Sequence, residues 1–192
     1  MTPSISIAIL ALAFTIASFW WIQVRTGRLL SYKPRTYAGS YGAGGKTILL
    51  FPLVLHNTGP APIVVVDFRL TLDIGPDPAT RNQEGFDLPI SIRWTAIQPS
   101  LHPAEKLGLG GRVHPSPIVV NGRQALERFI EFGWDNRLLR IADGPYMATV
   151  EAQLGHSHRW REIVTFPLHT EIAAAGAPIP FITRTNDPAW TT

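Results

Sequence analysis

The first 24 residues carry no charged side chain, and residues 5–22 are almost wholly apolar, ending in Phe19-Trp20-Trp21-Ile22. About eighteen helical residues at 1.5 Å each reach roughly 27 Å, close to the ~30 Å hydrocarbon core of a bilayer. Three fates are open to such a run: a membrane span, a cleaved secretory signal or a buried core helix. A secretory signal opens on Lys or Arg and ends in a small-x-small cleavage site. Here the first cation is Arg25, and the apolar run continues past Thr15-Ile16-Ala17, a weak cleavage site. Paired tryptophans at the end of a span supply an interfacial aromatic belt. Residues 1–24 are therefore expected to be an uncleaved transmembrane anchor.

Charge is arranged around this anchor. No Asp or Glu precedes Asp67, whereas Arg25, Arg28, Lys33, Arg35 and Lys46 follow the apolar run. Removing these five from the 17 Lys and Arg leaves 12 against 14 Asp and Glu, so the remainder has a net charge of −2 although the whole chain is +3. The basic character belongs to the membrane flank and gives no reason to expect a nucleic-acid partner. Trp20, Trp21, Arg25, Arg28, Lys33 and Arg35 are the expected membrane-interface residues, with the lipid bilayer as partner. Cations within about twenty residues of a span favour the cytoplasmic side, which predicts a single-pass cell-membrane protein with its domain in the cytoplasm. The chain has no cysteine, which removes disulfides and cysteine-ligated metals from consideration.

Residues 39–50, GSYGAGGKTILL, end a glycine-rich stretch in Gly-Gly-Lys-Thr. A phosphate-binding loop needs Gly, four residues, then Gly-Lys-Ser/Thr before a helix. Five places before Gly45 stands Ser40, and an apolar β-rich run follows instead of a helix. No nucleotide cofactor is expected. The glycines, tyrosines and cations of residues 25–46 read as a flexible linker.

Beyond the linker the period becomes two. Val64, Val66, Phe68, Leu70 and Leu72 share one parity, as do Leu88, Ile90, Ile92 and Trp94, and Tyr146, Ala148, Val150, Ala152 and Leu154. Trp160, Val164, Phe166 and Leu168 continue the pattern, with Glu162 as the exception. Residues 47–56 and 63–74 form two strands joined by Asn-Thr-Gly-Pro-Ala-Pro, and Pro52 implies an edge or a bulge. Residues 123–134 fit either a helix or a strand, and closure of the sheet favours a strand over 128–134. Strands separated by turn signals, with little helical pattern, predict an all-β sandwich or barrel.

At Asp143-Gly144-Pro145-Tyr146 the sequence resembles the turn that opens a late strand in immunoglobulin-like sandwiches, where a tyrosine hydroxyl bonds back to nearby backbone. With the early His-Asn-Thr-Gly-Pro turn and two closing strands, residues 47–172 resemble bacterial single-pass membrane-anchored immunoglobulin-like β-sandwich proteins of unassigned function. The resemblance implies an antiparallel sandwich behind one transmembrane helix, and no ligand. Residues 173–192 are expected to be a flexible tail.

Chemistry is sparse. His156 and His158 would share a face on a strand and could hold a metal with His169 or Glu162, although Gly-His-Ser-His lies where a hairpin turn is expected. No Gly-x-Ser-x-Gly elbow occurs. The expected function is a membrane-anchored interaction or assembly module with a protein partner, no catalytic residues and no cofactor. The alternative is a membrane-tethered metal-dependent enzyme using the loop histidines.

Overall fold

The computed structural model describes residues 3–42, 46–74, 89–101, 111–135, 141, 144–155, 157–170 and 182–186. The apolar N-terminus is helical. α1 (Pro3–Phe19) runs into a π-helical turn, Trp20–Val24, closed by the Arg25 N–H donating to the Trp20 carbonyl at 2.9 Å. Pro3–Val24 has 22 residues, about 33 Å of helix, and no residue of α1 is buried.

The remainder is one antiparallel sheet. Its strands are β1 (Leu29–Ser31), β2 (Thr36–Gly42), β3 (Lys46–Asn57), β4 (Ile63–Ile74), β5 (Ile90–Gln98), β6 (Ile118–Val120), β7 (Ala125–Asp135), β8 (Gly144–Leu154), β9 (Trp160–Thr170) and β10 (Ile182–Thr185). They run in the order β10-β2-β3-β7-β5-β4-β8-β9, with β1 added to β3 and β6 to β4. The sheet curls until its ends meet around one core. Phe51 of β3 packs against Tyr37 of β2, Phe132 of β7 and Phe166 of β9 with ring centroids 6.0, 6.1 and 5.6 Å away. On the other side Phe68 of β4 meets Trp94 of β5 edge to face at 5.2 Å. β5 belongs to both flanks, pairing with β4 through residues 90–93 and with β7 through residues 93–98. Among the described residues no ladder joins β9 to β1 or β2, so an open seam separates them, bridged where the Tyr37 hydroxyl donates to the His169 carbonyl at 2.6 Å.

Three bulges adjust the simple alternation. In β4 the register shifts between Val65 and Asp67, so Ile63 and Val65 face the core with Phe68, Leu70 and Leu72, while Val64 and Val66 face outward. The expected single face from Val64 to Leu72 is thus corrected, because one inserted residue reverses the parity of everything before it. In β9 a shift opposite Val150 and Glu151 turns Ile163 inward beside Val164 and leaves Glu162 exposed, which explains the exception in that strand's pattern. In β5 the shift at Thr95 brings its side chain against Gly133, where an added Cβ would lie 2.7 Å from the Thr95 methyl.

The ambiguous segment is strand β7, as closure of the sheet predicted. Pro52 sits where β3 lacks a neighbour on one side, between its pairing with β2 up to Leu50 and with β1 from Leu55. Two expectations need correction. The supposed linker 25–46 contributes β1 and β2, with Tyr37 and Ala38 fully buried against the core, because short strands that cover the edge of β3 gain more than a solvated tether. From the supposed tail 173–192, β10 pairs with residues 36–39 of β2, and Leu88 lies outside the described residues.

Candidate functional site

The helix and the sheet are joined by four residues, Arg25 to Arg28, and this joint is fixed. Arg28 exchanges bonds with Thr58: its N–H donates to Thr58 Oγ1 at 2.9 Å and its carbonyl accepts from the Thr58 N–H at 3.1 Å. Gly27 lies flat on Gly59, so that a Cβ on either would stand 2.1 Å from the other's backbone nitrogen. Only glycine permits this approach. Fully buried Asn57 locks the turn beneath, donating to the carbonyls of Ala61 at 2.7 Å and Val120 at 3.2 Å while its Oδ1 accepts from the Gly59 N–H at 2.9 Å. The neighbouring turn is held by Arg123 N–H donating to Gly59 and by Asn57 N–H donating to Gln124. Arg123 has φ 55°, and a Cβ on Gly122 would fall 1.7 Å from the Pro60 carbonyl. The helix therefore leaves the sheet from a defined pole.

The expected interface residues separate into two groups. Trp20 and Trp21 are more than half exposed at the end of the helix, and the Arg25 guanidinium lies 4.2 Å over the Trp21 ring. Arg28 is exposed at the joint. Lys33 and Arg35 are elsewhere, on the hook between β1 and β2. The Asn186 N–H donates to the Arg35 carbonyl at 2.6 Å and its side-chain amide to the Pro34 carbonyl at 3.3 Å, which pins the hook to the end of β10. The hook and β9 frame a cleft of 460 Å³ lined by Tyr32, Lys33, Pro34, Arg35, Phe166, Pro167 and Asn186. A second cleft in the same seam, 280 Å³, lies between Arg28, Leu29 and Leu30 and the β8–β9 side.

His158 and His169 do not come together. His158 is exposed in the β8–β9 hairpin, its carbonyl accepting from Gln153 Nε2 at 3.2 Å, and His169 is exposed near the far end of β9. Nine steps along the strand, roughly 30 Å, separate Trp160 beside the first from the second, far beyond any shared metal. His156 lies outside the described residues, and among those described no three metal-binding side chains converge. Asp143 is also outside them, while Tyr146 pairs with Leu168 at the margin of the core.

Two charged clusters escaped the sequence reading. Glu131, 1% exposed, accepts hydrogen bonds from Arg112 Nη2 at 2.7 Å, Thr95 Oγ1 at 2.7 Å and Gln98 Nε2 at 2.5 Å. Burial pushes its carboxyl up, but the donated bonds of Arg112, Gln98 and Thr95 and the charge of Arg112 outweigh this and hold it below the usual glutamate value. On the outer face Arg69 lies between Glu151, bound through Nε and Nη2, and Trp160, whose ring is 4.6 Å from the guanidinium. The hydrogen bond from Arg69 lowers the Glu151 carboxyl despite partial burial. Both carboxylates are saturated with donors, which suits a structural role better than proton transfer. Nothing beside Glu131 in the sequence marks its burial, because its partners Thr95, Gln98 and Arg112 come from other parts of the chain.

No family model and no curated protein matches this chain. Among solved structures it is similar to one described as the crystal structure of a protein from Archaeoglobus fulgidus, at 12% identity and a TM-score of 0.41 over 74% of this chain and 99% of that one.

Proposed function

We propose that this chain is a single-pass membrane protein, anchored by Pro3–Val24, whose β-domain is an immunoglobulin-like interaction or assembly module on the cytoplasmic side. The observation that carries the reading is the fixed joint: a 22-residue exposed apolar helix meets the sheet through Gly27 on Gly59 and Arg28 on Thr58. A segment destined for cleavage gains nothing from a joint that orients it, whereas an anchor does. The immunoglobulin-like reading is supported by the two flanks, β2-β3-β7 and β4-β8-β9, that face each other across the core with β5 shared between them. Cytoplasmic placement rests on Arg25, Arg28, Lys33, Arg35 and Lys46. Their proximity to the span in sequence is what counts, because insertion precedes folding.

Alkaline extraction of membranes, with the intact mass of the retained protein, tests the anchor. The reading expects the protein in the pellet at full mass. Release into the supernatant, or a mass lacking the first two dozen residues, contradicts it. A carboxy-terminal reporter active only outside the cytoplasm should stay silent, and its activity would reverse the orientation.

A further inference from the structure

Among the described residues, the cations of the β1–β2 hook take part in no ion pair. Among the described residues the two ion pairs are Arg69–Glu151 and Arg112–Glu131, and neither involves Lys33 or Arg35, which are both exposed. Among the described residues that line the cleft they border, none is acidic. We propose that this seam cleft is the binding site for an acidic peptide segment of a partner protein. The inference rests on the reading of the domain as an interaction module and is independent of the side of the membrane it faces.

Three features suit this ligand. First, the site is preformed. Pro34 is buried, the Pro34 and Arg35 carbonyls are tied to Asn186, Thr185 Oγ1 adds a bond to Arg35 at 3.4 Å, and the hook is held at both ends by the ladders to β3. Little backbone ordering is left for binding to oppose. Second, the cleft's 460 Å³ falls within the range of about 300–1,000 Å³ usual for ligand sites, and the Tyr32 ring, 66% exposed, and Pro167 give it apolar walls beside the two charges. Third, β9 offers side chains here rather than a pairing edge. The His169 carbonyl points to β2, so by alternation the backbone of Pro167 also faces the seam, and proline has no N–H to give an added strand. Recognition therefore falls to Lys33 and Arg35, with carboxylates as their natural partners.

Register argues against lipid headgroups as the occupant. The helix leaves at the level of Thr58, paired with Arg28, whereas the hook is bracketed by Leu55 opposite Ser31 and Leu50 opposite Ala38. Arg35 is then about five residues along β3 from the exit, roughly 17 Å at 3.3 Å per residue. That distance exceeds the ~8 Å over which surface charge acts at physiological ionic strength.

The full chain in nanodiscs of phosphatidylcholine, titrated at low salt with a fluorescein-labelled decaglutamate peptide and followed by anisotropy, tests the site. Saturable binding is expected, weakened about tenfold by Lys33→Ala with Arg35→Ala, the size expected for two exposed ion pairs. Lys33→Arg should retain binding, and Arg93→Ala with Arg159→Ala, which removes two exposed cations elsewhere, should change affinity less than about twofold. Absence of binding, or equal affinity in the hook variant, overturns the proposal. So does loss of the peptide on phosphatidylserine-containing discs, which would make headgroups the occupant. A chain that stays out of the discs contradicts the anchor alone, and the same titration on the soluble full chain still decides the cleft.

Discussion

Replacing Glu131 tests whether the buried cluster beneath the β5–β7 ladder is structural. In Glu131→Ala the three donors are not affected equally. Arg112, with about a third of its side chain exposed, can turn to water, and Thr95 keeps the Glu131 main-chain carbonyl as an acceptor at 3.3 Å. Gln98, 7% exposed, loses the carboxylate oxygen its amide donates to. One stranded donor costs about 1–3 kcal/mol, and the vacated volume in a closed core adds to it, giving a loss of about 2–4 kcal/mol. Glu131→Gln keeps the volume and one acceptor but sets an amide N–H against donors, so about half that loss is expected. The pH dependence follows from the lowered carboxyl. Its contribution is complete above the unfolded value of 4.5 and disappears as pH falls through the lower folded value. The difference between wild type and Glu131→Gln should therefore be constant near neutrality and shrink below pH 4.5. Urea unfolding of the full chain in mild detergent, followed by tryptophan fluorescence at several pH values, gives both numbers. A difference that stays flat or widens in acid refutes the argument, because the wild-type carboxylate would then not be held by its donors.

Phe51→Ala should cost about 3–5 kcal/mol, since a fully buried ring loses neighbours on three strands at once, and Phe51→Leu well under half of that; unfolding midpoints check both. Gly59→Ala puts a methyl within 2.1 Å of the Gly27 nitrogen, so a loss of about 1–3 kcal/mol is expected, together with a more mobile spin label at Thr26→Cys in electron paramagnetic resonance. Arg69→Ala removes a partly exposed ion pair and a cation–π contact and should lower stability by only about 1 kcal/mol, as measured by thermal unfolding.

What could be read from the residues was what depends on periodicity over one element. The apolar helix and the strand cores at Ile90, Ile92 and Trp94 and at Ala148 to Leu154 follow from patterns a single segment carries, whereas residues 123–134 fit two patterns and closure of the sheet decides for a strand. What failed depends on a partner elsewhere in the chain. Val64 and Val66 face outward because of a bulge set by β8, and nothing in the local sequence marks it. The linker looked unstructured because residues 38–42, Ala-Gly-Ser-Tyr-Gly, have weak strand propensity, yet β3 pairs with all five and β10 with Ala38 and Gly39 on the other side. Gly27 and Gly59, which fix the joint, are far apart in sequence, and alone Gly27 reads as linker and Gly59 as turn chemistry. Lys33 and Arg35 were assigned to the membrane by proximity along the chain, and the hook carries them to the seam.

The central claim is that one pole of the domain is held against a bilayer by a fixed joint. Because the chain has no cysteine, a single nitroxide can be placed at will. Gln124→Cys sits at the joint, its backbone carbonyl accepting from Asn57, and Ser91→Cys lies opposite Thr71, about seven residues or 23 Å farther along β4 than Val64. With the full chain in vesicles whose surface carries a gadolinium-chelating lipid, relaxation enhancement of each label reports its height above the membrane. The account predicts strong enhancement at Gln124→Cys and little at Ser91→Cys, whereas equal enhancement at the two positions would contradict it.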